Sequence, residues 1–171
     1  GLPLSIAQSD VTLTGHSIEA RVYAEDPAAG FLPTGGLVTH VTHPSGDGVR
    51  VDTAIDSGLN VSIDYDPMLA KIITWGEDRE AARRLLVRAL DETAVLGFPT
   101  NLEFMRKLLE LPEVVAGDLD TGLIGRVQDS LEYATVGERE FTEAALLLDH
   151  AARGTAERTL EANASRETPS N

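Results

Sequence analysis

The sequence predicts an α+β fold, in which a mainly antiparallel sheet is packed by a helical hairpin and followed by a helical C-terminal linker. Up to about residue 75, strand-length runs alternate β-branched or aromatic residues with polar ones, between turns rich in Pro and Gly. After Gly76 the apolar residues recur at helical spacing instead. Strands first and helices later is the order expected when helices cover one face of an antiparallel sheet.

The predicted strands lie in the first half of the chain. Five segments have strand-like patterns: residues 17–23, 37–41, 49–55, 59–63 and 68–75. The third and fourth are joined around Asp56-Ser57-Gly58, and we expect them to pair with each other. The fifth is a nearly continuous apolar run that ends at Gly76, which indicates a buried strand.

Two helices are predicted after this run. The stripe of the first is formed by Ala82, Leu85, Leu86, Ala89, Leu90 and Thr93. Asp78 and Glu80 stand near its start and arginines follow, a distribution that favours the helix dipole. Thr100 and Glu103 have capping-box spacing and predict the start of the second helix, with Phe104 and Met105 in its buried stripe. Pro112 is expected to end it.

The chain changes character after residue 126. Residues 127–171 hold nine acidic and four basic residues and end in a polar stretch. A helical stripe is present only in residues 141–153. We interpret residues 127–171 as an acidic linker, partly disordered, with one helix whose apolar face needs a partner.

Composition excludes several classes of function. A formal net charge of −14 argues against nucleic-acid binding, which depends on Lys and Arg neutralising phosphates. The 171 residues include no cysteine, so disulfides and cysteine metal sites are excluded, and a cytoplasmic location is favoured. No apolar run approaches the roughly 20 residues that cross a bilayer, so we expect a soluble protein. The first residue is Gly, which favours a piece of a longer polypeptide.

Arg50 is the strongest candidate for a functional residue. It lies between Val49 and Val51 in a predicted strand. Burying its guanidinium without a partner would be costly, so it must reach either solvent or a defined anion. The planar fork suits carboxylates, phosphates and carbonyl oxygens that become negative during a reaction. A solvated strand face or a structural salt bridge is the alternative interpretation.

Several motifs occur in order: RVYAEDP from Arg21, FLP from Phe31, GVRVD from Gly48, YDPMLAK from Tyr65 and GDLDTG from Gly117. This series resembles the C-terminal domain of biotin carboxylase, as found in the alpha chain of an acetyl-, propionyl- or methylcrotonyl-CoA carboxylase. The resemblance covers about residues 4–126, so residues 1–126 are predicted to form that domain. Ser62-Ile63-Asp64 and Leu37 depart from the usual pattern and affect loop geometry.

The resemblance implies a role for Arg50 as the catalytic and biotin-binding residue that contacts the ureido oxygen of biotin. Biotin would arrive on a carrier domain outside this chain, and ATP with Mg or Mn would bind to an ATP-grasp portion of the same protein. This chain alone is therefore expected to be inactive. The other implied partners are a carboxyltransferase subunit and a second copy in a homodimer.

Trp75 and Arg79 end a strand and start a helix, where we expect them to be exposed together. The resemblance implies a dimer contact here, and a partly buried aromatic residue capping the core is the alternative. Asp66 and Asp26 precede prolines and are interpreted as turn residues, with Tyr65 and Met68 in the core. No metal site is predicted, because His40 and His43 have no third ligand nearby in the sequence.

Two other readings of the whole chain stay open. The first is a non-catalytic subunit-assembly module that uses Trp75, Arg79 and the helix beginning at Phe141. The second is the same domain from a pyruvate or urea carboxylase, since those proteins share many of these motifs.

Overall fold

The computed structural model of the protein describes residues 1–135 and 137–146. Residues 1–133 form one compact unit, and the chain from residue 134 falls into a second. The predicted α+β class is confirmed. The strands are β1 (His16–Tyr23), β2 (Glu25–Asp26), β3 (Leu32–Pro33), β4 (Gly36–Leu37), β5 (His40–Thr42), β6 (Val49–Thr53), β7 (Asn60–Val61), β8 (Met68–Gly76) and β9 (Ala94–Leu96). The helices of the first unit are α1 (Arg79–Glu92), α2 (Leu102–Glu110), α3 (Pro112–Ala116) and α4 (Leu123–Val127).

The central sheet has three antiparallel strands in the order β1–β8–β6. Its inner face carries the small and branched apolar residues that the period-two pattern predicts. Ala20 on β1 and Val51 on β6 both lie opposite Ile72 on β8, which is almost completely buried. The buried core that forms around them comprises Ala20, Val22, Ala24, Val38, Ile55, Leu69, Ala70, Ile72, Leu86, Ala89, Leu90, Phe98, Phe104 and Met105.

Helix α1 packs along the inner face of this sheet and α2 packs against α1, as the predicted hairpin requires. The carboxylate of Asp78 caps the start of α1 by accepting a hydrogen bond from the N–H of Ala81 at 2.7 Å. Arg83, which is buried, joins the two helices by donating to the carbonyl of Leu109 at 2.8 Å while its other nitrogens bind Glu80. A buried guanidinium is tolerated here because each side of it has a partner.

The remaining strands form two-stranded ribbons, β2–β3, β4–β7 and β5–β9. The prediction that residues 49–55 and 59–63 pair with each other is therefore wrong: β6 pairs with β8, and β7 pairs with β4. The turn between β6 and β7 bonds to the segment around Val38 instead. The N–H of Gly58 donates to the carbonyl of Val38, and the N–H of Val38 donates to the carbonyl of Leu59. The predicted strand at residues 37–41 is likewise split into β4 and β5.

The start of α2 differs from the prediction. Thr100 is not the N-cap, because the residue before the first helical turn is Asn101, and its side chain makes no capping hydrogen bond. The Asn101 side chain is bound to β1 instead. The predicted end is confirmed, since α2 stops at Glu110 and Pro112 opens the short helix α3, where its missing N–H costs nothing.

In the second unit, residues 138–146 form a helix. It overlaps the first part of the predicted segment 141–153, whose remaining residues lie outside the described part of the chain. Arg139 and Glu143 form an i, i+4 ion pair at 2.9 Å, while Phe141 and Leu146 are exposed. Among the described residues, no helix combines the length and the apolar character needed to traverse a bilayer.

Candidate functional site

The outer face of the central sheet carries a cluster of charged side chains. Because side chains alternate across a strand, every second residue of β1, β6 and β8 points away from α1. The register places Arg50 opposite Ile73, and Asp52 opposite Lys71, which also faces Arg21. We call this the outer sheet face, and its members are Glu19, Arg21, Arg50, Asp52, Lys71, Ile73 and Trp75. It holds three cations and two carboxylates, a local positive excess in a chain of net charge −14.

Arg50 lies on this face with 74% of its side chain exposed. Its Nε and Nη2 donate to Oδ1 and Oδ2 of Asp52 at 2.9 and 3.1 Å, a bidentate pair that raises the pKa of the guanidinium. The guanidinium thus reaches both solvent and a carboxylate of its own strand, an arrangement that also fits the alternative interpretation of a structural salt bridge on a solvated face. A guanidinium has five N–H groups, so the pair leaves three of them directed away from Asp52.

The carboxylate of Asp52 is shared between two cations. Besides Arg50, Lys71 approaches it from the neighbouring strand, with Nζ at 3.3 Å from Oδ2. The hydrogen bonds from Arg50 lower the pKa of Asp52; partial removal from water opposes this, and Lys71 adds to the lowering. Sequence analysis missed both Asp52 and Lys71. The available signal was the strand period, since a residue two positions after Arg50 must share its face.

Two hollows of the described surface are lined by residues other than Arg50. A shallow hollow of about 210 Å³ is lined by Asp52, Thr53, Ala54 and residues 68–71, so it adjoins the Asp52–Lys71 end of the outer sheet face. A larger hollow of about 710 Å³ lies between α1 and α3, where Arg84 and Arg88 contribute to its wall. We base the candidate site on the outer sheet face, because the size of a hollow says nothing about its chemistry. A pocket at Arg50 would need a second wall.

Trp75 and Arg79 differ in how far their side chains are already bound within the domain. The indole of Trp75 is 47% exposed, and its Nε1 donates to the carbonyl of Thr14 at 3.1 Å. The guanidinium of Arg79 is already bound, with donations to the carbonyls of Val114 at 2.6 Å and Val115 at 3.1 Å at the end of α3. The expectation that both are exposed together holds for Trp75 alone.

The turn residues have the structural roles expected of them. Asp66 accepts a hydrogen bond from the N–H of Met68 at 2.8 Å, and Asp26 accepts from the N–H groups of two residues that follow Pro27. The expectation that Tyr65 and Met68 are core residues is wrong, because they are 83% and 39% exposed. The Asp66–Pro67 turn leaves Tyr65 outside the sheet, and burial starts only at residue 69.

Among the described residues, no group of three or more His, Asp or Glu side chains is arranged to hold a metal ion. His40 instead lies 3.0 Å from the hydroxyl of Thr42, and Nε2 of His43 is buried without a hydrogen-bond partner. His150 lies outside the described residues.

Comparison with known protein families identifies the domain. Residues 19–126 match the profile of the biotin carboxylase C-terminal domain, and they include the whole outer sheet face. The chain belongs to the biotin carboxylase C-terminal domain family. The resemblance drawn from the order of motifs is therefore confirmed.

Curated relatives of this family member include alpha chains of acyl-CoA carboxylases. The alpha subunit of methylcrotonoyl-CoA carboxylase from Dictyostelium discoideum is 43% identical over 129 residues, which is 75% of this chain and 18% of that protein. The propionyl-CoA carboxylase alpha chain of Ruegeria pomeroyi is 40% identical and covers 72% of this chain and 21% of its own length. The chain thus spans about a fifth of the curated relatives it matches.

Solved structures agree with the fold. The biotin carboxylase subunit of a pyruvate carboxylase is 32% identical with a TM-score of 0.74, over 79% of this chain and 30% of that one. The biotin carboxylase domain dimer of the 2-oxoglutarate carboxylase from Hydrogenobacter thermophilus, in complex with MgADP and bicarbonate, is 30% identical. Its TM-score is 0.75, and the match covers 79% of this chain and 30% of that one.

Proposed function

We propose that this chain is the C-terminal part of the biotin carboxylase of an acyl-CoA carboxylase. In this role residues 1–126 form the domain, residues 127–171 form a linker, and Arg50 completes the pocket for biotin and bicarbonate. The observation that carries the proposal is the geometry of Arg50. Its guanidinium is held by Asp52 on the central sheet, faces outward, and keeps three N–H groups directed away from that carboxylate.

The chemistry needed at this position is stabilisation of a developing negative charge. Bound biotin would supply a ureido group whose oxygen becomes negative when its nitrogen loses a proton to a base other than Arg50. That charge would pass to the new carboxylate when the nitrogen attacks carbon dioxide. The open N–H groups of Arg50 fit such an oxygen, because a guanidinium stays cationic and donates from a plane. Donors fixed in advance at the place where charge develops are worth a few kcal/mol each. Arg50 would therefore act in the carboxylation step, and ATP cleavage would need other residues.

We propose that ATP and Mg or Mn bind to an ATP-grasp portion of the same protein, and that the chain by itself is inactive. The relative crystallised with MgADP and bicarbonate supports this, because this chain aligns with only 30% of it. The missing portion would also supply the second wall that Arg50 lacks. The 171-residue chain should show no bicarbonate-dependent ATP cleavage, and detectable cleavage would overturn this part of the proposal.

The acyl-CoA class is favoured over a pyruvate carboxylase. Relatives named as methylcrotonoyl- or propionyl-CoA carboxylases share 34–44% identity with this chain, and the solved pyruvate and 2-oxoglutarate carboxylases share 30–33%. Carboxylation assays with the partner carboxyltransferase subunit and acetyl-, propionyl- or methylcrotonyl-CoA would test this choice. Activity on pyruvate alone would contradict it.

We also propose a cytoplasmic location for the protein. Cell fractionation would test this location, and recovery of the protein in an organelle would contradict it.

The role of Arg50 is tested by Arg50→Ala in the polypeptide that carries this chain together with its ATP-grasp portion. We expect biotin carboxylation to slow by about a hundredfold or more, as when an oxyanion donor is lost. Arg126→Ala is a matched control, because Arg126 makes a similar exposed bidentate pair with Asp120 elsewhere. Unchanged turnover in Arg50→Ala would remove the assigned role.

A second candidate function is a subunit-assembly module. It is favoured by the exposed rings of Trp75 in the first unit and Phe141 in the second. In this reading a second copy or a carboxyltransferase subunit covers one of these residues, and Arg50 is dispensable. Size-exclusion chromatography with light scattering, performed on wild type and Arg50→Ala, separates the two readings. Stable association together with full activity of Arg50→Ala would support the module.

A further inference from the structure

We propose that Asp52 is a positioning residue for the reaction assigned to this domain: it holds the guanidinium of Arg50 in the orientation that leaves its outer N–H groups open, and Lys71 holds Asp52. This inference rests on the proposed function of Arg50. It assigns a role to two residues that the sequence analysis passed over.

Apart from its pair with Asp52, little in the surroundings of Arg50 fixes the orientation of its side chain. With 74% of its side chain exposed, few neighbouring atoms restrict its torsions. A free arginine side chain has rotamer entropy to lose, and this loss would weaken binding each time the ligand arrives. A donor can stabilise developing charge fully only if its orientation is fixed beforehand. Some other group must therefore hold Arg50 in place.

Asp52 fixes this orientation by binding the Nε–Nη2 edge of the guanidinium. The pair uses Nε and one N–H of Nη2, at 2.9 and 3.1 Å, so two contacts fix the guanidinium plane. Nη1 makes no hydrogen bond with the described residues. The edge formed by Nη1 and Nη2 is consequently the one presented outward, and it is the edge that can donate two N–H groups to one oxygen or to a planar anion.

Asp52 is in turn held by Lys71 of the central strand β8. It lies directly opposite Lys71 in the β6–β8 register, and Nζ of Lys71 is 3.3 Å from Oδ2. About a third of each side chain is exposed, against three quarters for Arg50. Burial therefore increases from Arg50 to Asp52 and Lys71, as expected of a support for a reactive group. A carboxylate between two cations also stays ionised, which keeps the pair with Arg50 charge-assisted.

The decisive experiment is a double-mutant cycle in the polypeptide that contains the ATP-grasp portion, with Arg50→Ala, Asp52→Asn and both together. Asp52→Asn keeps the shape of the side chain and removes its charge. We expect kcat for biotin carboxylation to fall about tenfold in Asp52→Asn, because the guanidinium loses its fixed orientation. The double variant should be no slower than Arg50→Ala, since Asp52 acts only through Arg50.

Three controls separate positioning from a general structural effect. ATP cleavage measured with bicarbonate but without biotin should stay within about twofold of wild type in Asp52→Asn, because the charge that Arg50 is proposed to stabilise develops on biotin. Asp52→Glu, which restores the charge, should recover part of the lost rate. Asp120→Asn disrupts another exposed bidentate pair, with Arg126, and should leave biotin carboxylation unchanged.

The outcomes also separate this inference from the proposed function. If Arg50→Ala has full activity, both the proposed function of Arg50 and the positioning role of Asp52 are overturned. If Arg50→Ala is slow but Asp52→Asn is normal, or the two effects multiply in the double variant, only the positioning role is overturned. Equal losses of biotin-dependent and biotin-independent activity in Asp52→Asn would likewise overturn it, since they indicate a damaged fold.

Discussion

Asn101 pairs with both backbone groups of Tyr23, which lies 78 residues earlier in the chain. The Oδ1 atom of Asn101 accepts from the N–H of Tyr23 at 2.8 Å, and the backbone N–H of Asn101 donates to the carbonyl of Tyr23 at 3.2 Å. Its Nδ2 also donates to the carbonyl of Arg21 at 3.1 Å. Asn101 thus binds the edge of β1 much as a residue of a neighbouring strand would, and it connects the start of α2 to the central sheet.

The first prediction follows from this link. Asn101→Ala would leave the N–H of Tyr23 and the carbonyl of Arg21 without these partners at a site where Asn101 is 7% exposed. An unpaired buried polar group costs about 1–3 kcal/mol, so we expect the free energy of unfolding to fall by roughly 2–4 kcal/mol. Urea unfolding of the chain measures this. Asn60→Ala, at an exposed position of β7, is the control and should change stability by less than about 0.5 kcal/mol.

A second prediction concerns two glycines with nearly the same backbone conformation. Gly97 has φ of 131° and Gly46 has φ of 133°, so an alanine would be strained to a similar extent at either. A Cβ at Gly97 would collide with the backbone carbonyl of Leu37, whereas a Cβ at Gly46 would meet no atom within 4 Å. Gly97→Ala should therefore destabilise the domain by at least about 2 kcal/mol more than Gly46→Ala. Equal losses in urea unfolding would show that strain alone matters.

The sequence was most informative where a pattern is local. The long strands β1, β6 and β8 and the helix α1 follow from the periodicity of their own residues, because each of them buries one continuous face. Asp66 and Asp26 were also predictable, since an Asp before Pro bonds to the next few N–H groups.

Partners distant in the sequence were beyond this kind of prediction. The two-residue strand β7 is too short to show a period, and β5 pairs with β9, more than fifty residues later. The role of Asn101 depends on backbone groups of β1, which no local pattern reveals. In the candidate site, Arg50 was identified by the resemblance to a family. Its support by Lys71 depends on the register of β6 against β8, which a sequence alone leaves open.

A third prediction concerns the pKa of Asp120. Hydrogen bonds from Arg126, then one from the N–H of Gly122, lower the pKa of this carboxyl to about 2. Because the folded pKa lies below the unfolded one, the stabilising contribution is present above about pH 4 and is lost as pH falls towards 2. Carboxyl carbon NMR should give a midpoint near pH 2.

Removing the cation tests the assigned cause. Arg126→Ala should raise the pKa of Asp120 towards its usual value, while the N–H of Gly122 keeps it somewhat below that value. Arg50→Ala, which removes a cation that is not among the groups acting on Asp120, should leave the titration unchanged. An unaltered midpoint in Arg126→Ala would show that Arg126 does not control this carboxyl.

The last prediction concerns the proposed homodimer. Trp75 offers a half-exposed ring on the outer sheet face, and buried tryptophans often dominate interfaces, where truncation costs 2 kcal/mol or more. In the polypeptide with its ATP-grasp portion, Trp75→Ala should therefore raise the dimer dissociation constant at least about thirtyfold, measured by light scattering or sedimentation. Ile124→Ala removes a similarly exposed apolar side chain from α4 and should leave the constant unchanged.

Arg79 provides the contrast within the same predicted contact. Its guanidinium is bound to the last carbonyls of α3, so Arg79→Ala should first reduce the stability of the packing between α1 and α3. We expect thermal unfolding of Arg79→Ala to begin at lower temperature, with a smaller effect on dimerisation than Trp75→Ala has. If Arg79→Ala abolishes the dimer while the unfolding temperature stays constant, the guanidinium must leave α3 and contact the partner directly. That result would overturn the structural role assigned to it.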